Sequence, residues 1–352
     1  MNWKTASRSA RAFAMRKMFC ATILLGFSIA RLQAEPTVAK DSELAPVKTL
    51  ADKWTALLDE KLSQWDSWVG VPLDSVKDLP PGTPTSRDGK NGTPLGLNND
   101  LTHIFTVKLV DGEPVLHITG EIYGCVITKN SYGNYQFRAQ FRWLGKKLAP
   151  RLDAPRDTGV LYHSTGTNGA MWQAWKRSIE FQVCEGECGK LYGIGGATAT
   201  VANGYDGYWK AVTEERKTRE AAEKARRKAE KIKSPTAADN LPYQMSTGRA
   251  AVQSPEGFKP DYHENPTGEW NDLDLYVIGD SAVHLINGKV VNVLTRIGTK
   301  NETGAPTPVL AGQIQIQSEA AEAEYRRVEI CSLSEFPPEI QKIAKFKPAD
   351  HK

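Results

Sequence analysis

The sequence predicts an all-β sandwich, on three observations. Short apolar or alternating runs follow one another along most of the chain, and Gly, Asn, Asp or Pro separates them. Asn287-Gly288 stands between two apolar runs and reads as a strong hairpin turn. Ile179, Phe181 and Val183 alternate with Glu180 and Gln182, the period of a strand with one buried face.

The first 34 residues are set apart from that pattern. Lys4, Arg8, Arg11, Arg16 and Lys17 form a basic start, followed by the apolar run Met18 to Ala30 and a small residue at Ala34. That is the layout of a secretory signal peptide, with a run too short to span a membrane. Export to the periplasm or the exterior is therefore expected, with no membrane span after cleavage. Cys20 lacks the small-residue context of a lipoprotein site, so no lipid anchor is expected. The segment carries six of the 45 Lys and Arg and no acid, so 39 basic face 41 acidic residues in the remainder and a net +4 becomes −2. The basicity of the whole chain is an export feature, and nucleic acid is not an expected partner.

Residues 35–53 read as an extended lead-in. From Trp54 to Trp68 the positions Trp54, Leu57, Leu58, Leu62, Trp65 and Trp68 fit one helical face, and 78–100 is loop. Strands are expected at 104–109, 115–118, 124–128, 135–143, 158–162 and 178–183, and again at 273–278, 283–286, 290–293, 313–317 and 326–331. Asp111-Gly112 and Gly133-Asn134 are turns between them. Residues 212–233 break the series. Glu214 to Lys233 holds nine basic and five acidic side chains with little apolar content, which reads as an exposed helix or a disordered insertion. The 234–268 stretch is irregular, and 336–352 is a tail.

The candidate chemistry gathers near strand 178–183. Glu180 and Gln182 share a face, and a bulge near Cys184 would turn Glu185 towards them. Carboxylates at such spacing suit acid–base work on a sugar. His163, at the end of 158–162, joins them if the two strands are neighbours. Trp172 and Trp175 offer aromatic faces against which sugar rings pack, and equally serve as ordinary cover. Cys184 and Cys188 close a short loop and are the expected disulfide in an oxidising compartment. Cys125 and Cys331 are buried thiols or a second bridge. No phosphate loop, nucleophile elbow or His-Glu-x-x-His helix occurs.

The stretches Thr158–Tyr162, Trp175–Gly186, Gly268–Asn271, Val283–Val291, Gly312–Glu322 and Tyr325–Ile330, taken in order, resemble the 3-keto-disaccharide hydrolase family over roughly Trp54 to Leu333. The resemblance implies a concanavalin A-like jelly-roll β-sandwich carrying the charged helical or disordered insertion. It also implies an opening strand and turn over Leu58 to Gly70, against the helical reading of that stretch.

The same resemblance implies cleavage of glycosides oxidised at C3, by elimination and rehydration. Glu180 or His163 would act as base, with Gln182, Gln317 and Arg326 at the family's recurring polar positions. His163 stands where many members have Arg. Glu180-x-Gln182-x-x-Glu185 also resembles the Glu-x-Asp-x-x-Glu strand of retaining glucanases, but Gln replaces the Asp that tunes that pair. A carbohydrate is the expected partner, and a non-catalytic carbohydrate-binding module is the rival reading. No cofactor is expected. The oxygen-rich loops are compatible with a divalent cation such as Ca²⁺, although no calcium-loop motif is present.

Overall fold

A computed structural model describes residues 53–202, 205–229, 264–300 and 303–344 of the protein. The expected signal peptide, most of the lead-in and residues 230–263 of the insertion and irregular stretch lie outside these. In chain order the first strands are β1 (Thr55–Ala56), β2 (Trp65–Val69), β3 (Gly96–Leu97), β4 (Phe105–Val110), β5 (Glu113–Ile118) and β6 (Gly124–Thr128). Then come β7 (Tyr135–Lys147), β8 (Asp157–Thr165), β9 (Arg177–Cys184), β10 (Leu191–Ile194), β11 (Ala197–Val201) and helix α1 (Tyr205–Ala229). The chain continues through β12 (Asn271–Ile278), β13 (Ser281–Ile286) and β14 (Lys289–Lys300). It closes with β15 (Pro306–Pro308), β16 (Gln313–Ser318), β17 (Ala321–Ser332) and helix α2 (Pro338–Ala344).

The strands form two antiparallel sheets. One has seven strands in the order β10-β9-β8-β16-β6-β2-β3. The other has ten, in the order β11-β14-β13-β12-β7-β17-β5-β4, with β1 against β17 and β15 against β14. Neighbours distant in sequence, such as β6, β8 and β16, make this the jelly-roll sandwich expected. Asp111-Gly112 and Asn287-Gly288 are two-residue hairpin loops, with φ of 52° and 79° and of 49° and 73°. Both central residues take positive φ, as the type I′ turn requires.

Alternation along each strand sorts the side chains. Val160, Tyr162, Ile179, Phe181, Ile314 and Ile316 of the smaller sheet meet Phe137, Phe141, Leu275, Val283 and Tyr325 of the larger. Each is almost fully buried, and each such side chain contributes about 1.5–3 kcal/mol through burial. The outward face of the smaller sheet is covered too. Tyr123, Cys125, Ile127, Leu161, Ala174, Trp175, Ile194 and Ala320 form a second apolar cluster there. That extra layer is why β8 and β9 are buried on both faces.

Three expectations change. The helix expected over Trp54–Trp68 is absent: Asp59 accepts from the amides of Lys61 and Ser63 in a turn, and Trp65–Val69 is strand β2 paired with β6. The apolar positions that mimic a helical face divide between that turn and the two faces of the strand, Trp65 inward and Trp68 against the outer cluster. The charged insertion is helix α1, but it starts at Tyr205, where Trp209 and Val212 are buried in the main core. The tail also begins with structure, because Ile340 and Ala344 of α2 are buried.

His284 sits between the sheets, stacked on Phe181 at 4.2 Å. Its Nδ1 donates to Gly189 O at 2.9 Å, so Nε2 is the acceptor for the Tyr162 hydroxyl at 3.0 Å. Burial holds its pKa down to about 4. The folded value is below the unfolded one, so this stabilisation is complete above about pH 6.5 and drains away as pH falls towards 4. The amount is on the order of 3 kcal/mol. The His284 ring signals in an NMR titration are expected to stay those of a neutral Nδ1–H imidazole through pH 5.5 and to move only as the protein approaches acid unfolding. A midpoint near 6.5 in the folded protein would refute the assignment.

Candidate active site

Gly159 lies at the centre of the outward face of β8. Gln182 of β9 is its partner on one side, and β16 flanks the other. A Cβ built on Gly159 would fall 2.5 Å from Glu180 Oε1 and 2.6 Å from Gln317 Oε1. The missing side chain is what lets these two groups approach one another across the strand.

Around this point three carboxylates from three elements converge. Asp157 starts β8, Glu180 is in β9, and Glu319 follows β16 and bridges to Asp157. One oxygen of each lies within 4.8 Å of the others. All three are 4–6 % exposed. Arg151, from the loop before β8, holds two of them: one Nη pairs with Asp157 Oδ2 and the other with Glu319 Oε1 at 3.0 Å. No ion pair reaches Glu180 among the described residues. Burial raises the pKa of Glu180 well above the carboxylate range, and the charges of Glu319 and Asp157 add to it. Asp157 is raised likewise, by burial and then by Glu319; Glu319 is raised by burial against the pull of Arg151.

Three glutamines of β16 point the same way, and their partners differ. Gln313 accepts from Lys176 Nζ at 2.5 Å and donates to Thr128 O at 2.6 Å. Gln315 accepts from the Lys176 amide at 3.0 Å and donates to Ser164 Oγ at 2.8 Å. Gln317 is 0 % exposed, and its carboxamide lies beside Glu180 without a hydrogen bond of good geometry on either Oε1 or Nε2. Gln182 Oε1 and Asp157 Oδ1 are in the same state. Buried polar groups are nearly always partnered, so unsatisfied ones beside a charge cluster mark a ligand-facing surface. The oxygens are all hard donors, suited to a proton, a sugar hydroxyl or an oxygen-seeking cation.

Glu180, Gln182 and Gln317 thus come together as expected. Other expected site residues do not join them. His163 takes φ 51° at the bulge where β8 slips against β9 and β16. Its Nε2 donates to Gly279 O at 3.0 Å, in the β12–β13 turn, so the ring leaves the Glu180 face and does not serve as base there. Glu185 is spent on Arg156, with Oε1 2.8 Å from Nη1 and Oε2 accepting the Arg156 amide at 2.8 Å. No bulge turns it towards Glu180. Arg326 follows inward-facing Tyr325, so alternation sends it to the outer face of the larger sheet. There it donates to Gln140 Oε1 at 2.7 Å and lies over Trp270 at 4.2 Å.

The tryptophans divide. Trp175 is 1 % exposed, donates to Gly124 O at 2.8 Å and packs on Tyr123, so it is core rather than a sugar platform. Trp172 is half-buried at the edge of the same cluster, with Lys90 Nζ 3.6 Å above its ring. Cys184 and Cys188 are both buried thiols, not a disulfide. The reason is visible at Cys188, whose Sγ is 2.9 Å from Glu264 Oε1 and directed to that carboxylate rather than to the other sulfur. Cys125 and Cys331 are unbridged as well.

Asp157, Glu319, Arg151 and Tyr123 escaped the sequence reading. Glu319 had a signal, because it continues the alternation of Gln313, Gln315 and Gln317. Asp157 stands two residues before Gly159 on the same face. Arg151 lies in a loop and had none. Tyr123 has its hydroxyl pKa raised by burial and by the charge of Glu319.

Residues 53–331 match the 3-keto-alpha-glucoside-1,2-lyase-like domain, which makes this a carbohydrate-active jelly-roll protein. The chain belongs to that family. None of the curated proteins matches it. Among solved structures it is similar to two candidate glycosyl hydrolases from Parabacteroides distasonis. The first shares 19 % identity over 66 % of this chain and 91 % of that one, with a TM-score of 0.33. The second shares 14 % over 80 % and 95 %, with a TM-score of 0.38. A carbohydrate-binding module from Bacillus subtilis is similar at 8 % identity over 65 % and 92 %, with a TM-score of 0.30.

The Gly159→Ala protein is expected to fold with a loss of roughly 1–3 kcal/mol in urea denaturation, the range for an overpacked methyl. Its crystal structure should show Glu180 and Gln317 swung apart by the new Cβ. Unmoved side chains at unchanged stability would show slack that the present distances deny.

Proposed function

We propose that this protein is an exported enzyme that cleaves the glycosidic bond of 3-keto-glycosides by elimination across C1–C2, followed by hydration. The observation that carries the reading is the buried carboxylate Glu180, set against an unsatisfied Gln317 amide in a chain of the 3-keto-glucoside lyase-like family. A keto group at C3 acidifies the hydrogen on C2. Glu180 takes that proton, and the electron pair passes into an enolate whose oxygen accepts from Gln317 Nε2–H. Collapse of the enolate forms the C1=C2 double bond and expels the C1 substituent, whose oxygen regains the proton from Glu180. Water then adds hydroxyl to C1 and hydrogen to C2, and the balance is that of hydrolysis.

The environment of Glu180 suits this role. Burial and the neighbouring acids raise its affinity for a proton, so its ionised form is a stronger base than a free carboxylate. The same shift sets a pH dependence: the rate rises as pH climbs through the elevated pKa and is lost below it. A carbohydrate-binding module has no use for three titratable groups held this deeply, which is why the enzyme reading is preferred.

The test is to incubate the purified protein with 3-keto-disaccharides and their unoxidised parents and follow sugar release. Release is expected from the keto compounds alone, slowed by deuterium at C2. Glu180→Gln is expected to lower the rate by roughly 10²–10⁴-fold, the usual contribution of a general base. Sugar binding without release from any keto substrate would establish the binding module instead.

A further inference from the structure

We infer that Asp157, Glu180 and Glu319, completed by the Gln317 carboxamide oxygen, form a binding site for one divalent, oxygen-seeking cation of the Ca²⁺ class. Charge is the first argument. Three carboxylates meet with 4–6 % exposure, and Arg151 is the cation that pairs with them among the described residues. If all are ionised, three carboxylates against Arg151 leave a double negative charge in a buried place, which the more distant Lys90 and Arg216 offset only in part, and like charges there repel strongly.

The unsatisfied oxygens are the second argument, and they are independent of the acids' charge. Gln317 is wholly buried with no partner on its carboxamide, and its Oε1 is directed to the same small space as Glu180 Oε1, above Gly159. Arg151 occupies Asp157 Oδ2 and leaves Oδ1 without a partner, and Gln182 Oε1, on the strand pairing with Gly159, has none either. The protein thus gathers carboxylate and amide oxygens around Gly159, with Arg151 pairing two of the carboxylates from one side.

Spacing and donor type select the ion. The carboxylate oxygens lie within 4.8 Å of one another, about twice a Ca²⁺–oxygen distance of roughly 2.3–2.6 Å. The set contains no imidazole or thiolate, which disfavours zinc and copper. Long Glu and Gln arms from adjacent strands suit the tolerant geometry of Ca²⁺ better than the strict octahedron of Mg²⁺.

The binding claim stands apart from the sugar chemistry proposed above. A cation and a proton compete for the same carboxylates, so the ion's affinity falls as pH falls.

The experiment uses the full chain stripped with EDTA and titrated with CaCl₂ by calorimetry, and with Mn²⁺ as a paramagnetic probe. One ion per chain is expected, bound more weakly as pH falls. Asp157→Asn and Glu319→Gln should each weaken binding at least tenfold, while Asp111→Asn, in a surface turn, should not. Manganese-edge diffraction of wild-type crystals should place the ion between these side chains, independently of whether a variant folds. No stoichiometric site for either ion, or a site elsewhere, overturns the inference. Full turnover of a keto-glycoside by protein that shows no stoichiometric site overturns the inference and leaves the proposed reaction standing. Stoichiometric Ca²⁺ binding at the cluster with no turnover supports the site and removes the reaction.

Discussion

A glycine in the middle of a buried strand is the constraint on which the site depends. β8 is covered on both faces, so any side chain at position 159 would be packed against something. With hydrogen there, the strand opens a gap one side chain deep between Gln182 and Gln317, and Glu180 turns into it. The gap is bounded below by backbone and laterally by ladders, neither of which yields easily. What remains adjustable is the ends of the Glu and Gln side chains. A rigid floor with movable polar arms is a sound way to hold a reacting group, because position is set by the sheet and only final contact by rotamers.

Such a site is a burden on the fold. Each buried polar atom without a partner costs about 1–3 kcal/mol, and carboxylates with raised pKa values favour the folded state only when protonated. Several other buried acids and a histidine are fully partnered. Glu185 uses both oxygens on Arg156, Glu187 is held by Lys190 and Arg216, and the buried His284 has a partner on each nitrogen. Unsatisfied buried atoms also occur away from the site, at Tyr132, Tyr135 and Trp143 for example, but around Gly159 they coincide with three buried carboxylates. The core between the sheets supplies the surplus that this requires.

The strands were legible because their signals are local. Alternation in 179–183 and the Asp-Gly and Asn-Gly turns belong to a few consecutive residues, and β9, β13 and the hairpins follow from them. The Trp54–Trp68 stretch misled because a turn followed by a strand spaces its apolar residues much as a helix does. The site was only half legible. Glu180 and Gln182 stand out by sitting on one strand, and Gln317 came through family likeness. Which groups share a face across three strands depends on register, and register is a long-range property. His163 shows the difference most sharply: alternation puts it on the Gly159 face, and a bulge at Tyr162–Thr165 takes it off again. Arg326 shows the converse, since a recurring polar position proves to be a stacking partner of Trp270 on the far sheet.

The depth of the acids also bears on how a sugar could meet them. Lys90, Tyr123 and Trp172 pack on one another beside the outer apolar cluster, and both Lys90 and Tyr123 interact electrostatically with Glu319. Their mutual contacts are of the side-chain kind: Lys90 over the Trp172 ring at 3.6 Å, and Tyr123 against Trp172 at 6.1 Å. A cation–π contact of this sort contributes about 0.5–2 kcal/mol, and an aromatic pair about 0.5–1.5 kcal/mol. The floor beneath is held by continuous ladders of β16, β8 and β9. Cover and floor therefore differ widely in the work needed to move them.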